Sequence, residues 1–149
     1  MQSDFLAGEY GGSPKSHRHQ KVQDMLAHKG RGTDLAFENF YEEEIQATFP
    51  NGAEVRVTVC FANEIAMFAM KGVTISQRAK AKDYYDLYMI AKHLEGGPAA
   101  LGQRIGKFKE NKVIVEAANN VRKYFDSPKG LGPTSVADFM GETGPDVRD

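Results

Sequence analysis

Residues 41–72, "YEEEIQATFPNGAEVRVTVCFANEIAMFAMKG", hold the change of pattern that decides the fold. In "EVRVTV" polar and apolar residues alternate strictly, which puts Val55, Val57 and Val59 on one face of a strand. "EIQATF" has strand chemistry as well. The "PNGA" between them is a turn in which Asn51-Gly52 supplies positive φ. After Asn63 the period becomes helical. Asn63 suits an N-cap, Ile65, Phe68 and Ala69 form an apolar stripe, and Gly72 is the expected stop. The stretch therefore predicts an antiparallel hairpin at about 44–60, packed under a helix that starts at Asn63.

Upstream, "DLAFENF" reads as a third strand, and "PKSHRHQKVQDMLAHKG" reads as a helix. Pro14 would open that helix, Val22, Met25 and Leu26 would form its stripe, and Gly30 would end it. Residues 1–13 read as a loose arm. Downstream, "VTISQRAKA" reads as a linker, and "KDYYDLYMIAKHLEGG" as a strong helix closed by Gly96 and Gly97. Helices at about 98–108 and 111–126 follow, then a short one in "GPTSVADFM" and a loose tail over 141–149. The fold class is α+β, one domain over 14–140, with a small sheet followed by four or five helices.

Composition narrows the function classes. The 149 residues are 41% hydrophobic and 26% charged, with net charge −1, so no global basic field points to nucleic acid. Cys60, the single cysteine, excludes an internal disulfide and reads as a small core residue in a reducing compartment. No segment approaches the roughly 20 apolar residues of a membrane helix. "MQSDFLAGEYGGSPKSHRHQ" lacks the pattern of a signal peptide, so the chain reads as cytoplasmic with no membrane partner. His17 and His19 fall on different faces of the expected helix, His28 lies three turns from His17, and the three read as part of a solvated basic helix. "YEEEI" reads as a charged guard of a sheet edge.

The chemistry concentrates in "MKGVTISQRAKAKDYYDLYMIAKH", residues 70–93. Asp83 and Asp86 lie three apart in a helix and share a face. They suit a capped, solvated helix start. They also sit among Tyr84, Tyr85 and Tyr88, and burial beside tyrosines would require cationic partners. Lys71, Arg78, Lys80 and Lys82 are the cations at hand, so the segment reads as a salt-bridge network, a phosphate-binding patch, or both.

Together with the Asn-Gly hairpin and "ANEIAMFAMKG", the string resembles the C-terminal half of the AbiEii/AbiGii-type nucleotidyltransferases, the toxin components of bacterial toxin–antitoxin and phage-defence systems. The resemblance spans about residues 34–95 and rests on Lys71, Arg78, Lys82, Asp83 and Asp86. It implies a polymerase-β-like fold and transfer of a nucleotide from a nucleoside triphosphate to an acceptor, in some members the end of tRNA, with Mg²⁺ as cofactor. It also implies that Lys71 and Arg78 contact triphosphate oxygens, with Lys82 and Asp86 at the nucleotide. Asp83 would orient one of the cations or take a proton from the acceptor hydroxyl.

The family's Gly-Ser turn followed by an Asp-x-Asp strand is absent here. "YGGSPKSHRHQ" has the glycines without the aspartates, and Asp34 stands alone. The opening "MQSDFLAGEY" has no apolar first strand, which favours loss of an upstream part. The alternative is a non-catalytic helical module that packs on an antitoxin or on a partner chain carrying the missing strands.

Overall fold

The Asn51-Gly52 turn closes an antiparallel hairpin in the computed structural model, which describes residues 6–8, 19–22 and 25–141. Gly52 sits at φ 84°, and the Asn51 side chain accepts from the Ala53 N–H at 3.1 Å. The strands are β4 (Phe40–Thr48) and β5 (Glu54–Ala62), paired so that Tyr41 faces Phe61, Ile45 faces Val57 and Ala47 faces Val55. The hairpin is longer than the predicted 44–60 and in the expected register class. It is not packed under the following helix. Both strands are largely exposed, and only Ala62 at the base joins the core. A single residue, Asn63, separates β5 from the helix, so the helix leaves from the hairpin's base instead of folding back beneath it.

That helix, α1 (Glu64–Gln77), starts as predicted: the Asn63 Oδ1 accepts from the N–H groups of Ile65 and Ala66 at 3.0 and 3.3 Å. It does not stop at Gly72. Val73 and Ile75 beyond it are fully buried, and their burial carries the helix through the expected linker as far as Gln77. Gly72 is instead a packing residue. A Cβ there would lie 2.6 Å from the Cβ of Ala117 on α4 (Lys112–Tyr124), and the Asn120 side chain donates to the Gly72 carbonyl at 3.0 Å.

The remaining helices follow the predicted order: α2 (Ala81–His93), α3 (Gly97–Gly106), α4 and α5 (Leu131–Met140). One buried cluster joins Phe68, Val73 and Ile75 of α1 to Tyr84 and Leu87 of α2, Leu101, Ala117 and Val136. A second joins Ile65, Ala66 and Ala69 to Leu35 and Ile114. The architecture is α+β, with a small antiparallel hairpin followed by five helices.

Two expectations upstream are corrected. The helix expected after Pro14 is replaced by β2 (His19–Val22) and β3 (Met25–Gly30), antiparallel to each other. β1 (Leu6–Gly8), within the expected arm, pairs parallel to β3. Three apolar residues give a helix too little to bury, and helices depend on such burial more than on propensity. Residues 1–5, 9–18 and 23–24, and the tail from 142, lie outside the described residues. The expected third strand in "DLAFENF" is a 3-10 turn, Thr33–Phe37, begun by Gly32 at φ 87°. The turn brings Leu35 into the core and leaves Asp34 exposed.

The close approach at Gly72 generates a prediction. Alanine is the better helix former by about 1 kcal/mol. Gly72→Ala nevertheless should lower stability by roughly 1–3 kcal/mol, because its methyl overlaps Ala117. Urea unfolding of the two proteins decides it; an equal or more stable variant would show that α1 and α4 can move apart at no cost.

Candidate functional site

Two helices and a three-residue connection build the site. Lys71 lies within α1. Arg78 closes that helix in extended conformation, and α2 begins again after Lys80. In the first turn of α2 the Asp83 N–H donates to the Lys80 carbonyl at 2.9 Å. The next residue, Tyr84, is fully buried against Tyr124 and Phe125, and its hydroxyl donates to the Ile75 carbonyl at 3.3 Å. Fixing Tyr84 in the core draws Asp83 in beside it, and Asp83 is only 2% exposed.

Such a carboxylate needs cationic partners, and it has two. Lys71 Nζ donates to Asp83 Oδ1 at 2.8 Å. Arg78 donates through Nε to Oδ2 at 3.0 Å and through Nη2 to Oδ1 at 3.4 Å. Lys71 Nζ also reaches Asp86 Oδ2 at 2.5 Å, and Lys82 Nζ lies 2.9 Å from both oxygens of Asp86. All five residues singled out in the sequence thus meet in one network.

Burial of Asp83 by itself would push its carboxyl up; the hydrogen bonds from Lys71 and Arg78 outweigh it and hold the group below the usual carboxylate range. Asp86 follows the same balance, with Lys71 and Lys82 as the lowering partners. Burial works against the charge on Lys71, but Asp83 and Asp86 together hold its ammonium above the usual value. Asp83, Asp86 and Lys71 are therefore charged at neutral pH. Asp83, with both oxygens engaged and a lowered pKa, is built to orient Lys71 and Arg78 and is poorly suited to accept a proton.

The outward side of the network is cationic. Arg78 is about half exposed, at 53%, and Lys80 and Lys82 are exposed. The guanidinium keeps N–H groups beyond the two given to Asp83. An anion arriving here would meet donors already pointed by carboxylates. Both aspartates are occupied by cations, and no group of three or more metal-ligating side chains occurs among the described residues. Asp34 sits in the 3-10 turn and not on a strand.

Other sequence candidates are redistributed. Cys60, expected in the core, is exposed on the polar face of the hairpin, opposite Glu42, to which its Sγ–H points at 3.9 Å. His19 and His28, expected on one solvated basic helix, lie opposite one another across β2 and β3. Sequence reasoning missed the supports behind the cluster. Gly72, next to Lys71, sets the depth at which α1 lies on α4, and Asn120 ties that turn. The only signal was a glycine inside a helical pattern.

Residues 26–129, more than two thirds of the chain, match the family described as "Nucleotidyl transferase AbiEii toxin, Type IV TA system". No curated protein and no solved structure matches the chain.

The network predicts a pH dependence with two arms. The lowered pKa values of Asp83 and Asp86 contribute stability that is present above the unfolded carboxylate value of about 3.9 and lost as pH falls through the folded values. The raised pKa of Lys71 contributes stability that is present below about 10.4 and lost as pH rises through the folded value. Asp83→Asn should cost about 3 kcal/mol and weaken both arms, because it leaves Arg78 without its carboxylate and Lys71 with Asp86 alone. Arg78→Ala, at a half-exposed position, should cost about 1 kcal/mol or less. Thermal melts of the three proteins from acid to alkaline pH test the ordering; equal midpoints throughout would mean a solvated helix start.

Proposed function

The chain belongs to the AbiEii nucleotidyltransferase toxin family, and from that premise we propose that the Lys71–Arg78–Lys82 group binds the phosphates of a nucleoside triphosphate. The observation that carries this reading is the convergence of the three cations on Asp83 and Asp86. In the transfer of a nucleotide to a hydroxyl, negative charge grows on the departing pyrophosphate. Fixed cations stabilise that charge without reorganising at the moment of reaction. Lys71 and Arg78 would contact the phosphate oxygens, Lys82 would add charge at the rim, and the two aspartates would hold the donors in place. Mg²⁺ would arrive with the triphosphate. An RNA end such as that of tRNA is the proposed acceptor, and the cytoplasm the proposed location.

The chain carries no Asp-x-Asp strand. Binding is therefore proposed for this chain by itself, with transfer dependent on carboxylates from elsewhere.

Calorimetric titration of the purified chain with ATP, CTP, GTP and UTP, with and without Mg²⁺, tests this. At least one triphosphate should bind, and Arg78→Ala and Lys82→Ala should each weaken binding about tenfold, at the 1.4 kcal/mol scale of one charge-assisted contact. Both side chains are largely exposed, so these variants should remain folded. Failure of all four triphosphates to bind, or binding indifferent to both substitutions, would leave the network a structural one only.

A further inference from the structure

The β4–β5 hairpin is unfinished as a sheet. Two strands alone are marginal in water, and at least three, or a covering layer, are needed for independent stability. Its register gathers Tyr41, Ile45, Ala47, Val55, Val57, Val59 and Phe61 on one face, with Glu43 among them opposite Val59. Tyr41 stacks on Phe61 there, yet Tyr41 is 51% exposed, and Ile45, Val57 and Phe61 are exposed as well. Among the described residues the outer edge of β4 pairs with nothing. Its backbone donors and acceptors are open to a further strand.

Charge selects what that strand would be. The hairpin carries Glu42, Glu43, Glu44 and Glu54 against a single Arg56. Arg56 already lies 3.6 Å from Glu44. Three of the four glutamates follow one another on β4. A second copy pairing through β4 would set glutamates against glutamates, and like charges directly opposite are destabilising. A strand alternating lysine or arginine with apolar residues fits the polar face and, apart from the position beside Glu43, the apolar one. Its cations would stand opposite Glu42 and Glu44 on the polar side, and its apolar residues beside Tyr41 and Ile45 on the other.

We propose that the outer edge of β4 is a docking site for a protein partner that adds an apolar, lysine- or arginine-bearing strand to this hairpin. Main-chain hydrogen bonds along the edge would supply affinity, and the glutamates would select the partner's charge. This surface is independent of the nucleotide reading, since it shares no residue with the Lys71 network.

The experiment uses the full chain and a fluorescent nine-residue peptide alternating lysine and valine, read by anisotropy. It should bind saturably, and a glutamate–valine counterpart should bind about tenfold more weakly or not at all. Glu42→Lys combined with Glu44→Lys should reverse that preference. Both positions are exposed, and circular dichroism checks that the fold is kept. Methylating alternate peptide nitrogens should abolish binding, as edge pairing requires their N–H groups. Absence of saturable binding overturns the proposal, as does equal binding of the methylated peptide, which would mean charge attraction alone. Sedimentation velocity supplies the remaining arm: a dimer abolished by Ile45→Ser would assign the surface to a second copy and overturn it too.

Discussion

Asp83 is the constraint on which the middle of this molecule depends. A carboxylate buried beside Tyr84 cannot remain ionised unless cations come to it, and the nearest ones belong to a different helix and to the connection. The ion pair therefore fixes more than a side chain. It fixes how the end of α1 lies against the start of α2, since Lys71 must reach across and Arg78 must turn back. The apolar core acts on the same joint: Val73 and Ile75 from one side and Tyr84 and Leu87 from the other close in one cluster. Charge and packing therefore reinforce each other. Loosening either opens the same place, and the joint so closed holds Arg78 against Asp83.

α1 is the element that the others share. It meets α2 through the ion pairs, α4 through Gly72 and Ala117, and the 3-10 turn through Leu35. A glycine in mid-helix costs about 1 kcal/mol of propensity. That cost is offset here by an approach of α1 to α4 that no larger residue permits. By contrast the hairpin takes almost no part in the core. It is held at Asn63 and Ala62, and its long apolar face is left over after the core is complete. One half of the molecule is closed by its own contacts, while the other half presents an open edge.

What the sequence made legible follows from how local each signal was. The hairpin was readable because alternation and an Asn-Gly turn act within twenty residues. Helix starts at Asn63 and Asn111 were governed by side-chain caps that reach only two or three residues ahead. The five residues of the network were readable as types and spacing, and all five came together. The stop assigned to Gly72 failed because a glycine reads alike at a helix end and at a close helix crossing; the difference lies in Ala117, which is 45 positions away. The helix assigned after Pro14 failed for a similar reason. Three apolar residues suited either period, and pairing with β1 decided it. Cys60 was judged by its apolar neighbours in sequence, whereas the register places it on the polar face with Glu42.

The charge inventory of the site bears on what it can do. Three cations, Lys71, Arg78 and Lys82, stand against two carboxylates, so the cluster carries only a small positive surplus. A triphosphate brings more negative charge than that surplus balances. It must either compete with Asp83 and Asp86 for their partners or arrive with its own counter-ion. Competition at Asp83 is the costly route, because a buried carboxylate stripped of partners would have to protonate or move. Competition at Asp86 is easier, since Lys82 is mostly exposed and can swing toward an incoming phosphate while Lys71 stays in place. The arrangement thus divides the labour between an inner pair that preserves the fold and an outer rim that can change partners. On the proposed reading, a phosphate would draw Lys82 away from Asp86 and meet Arg78 and Lys71 without displacing either from Asp83.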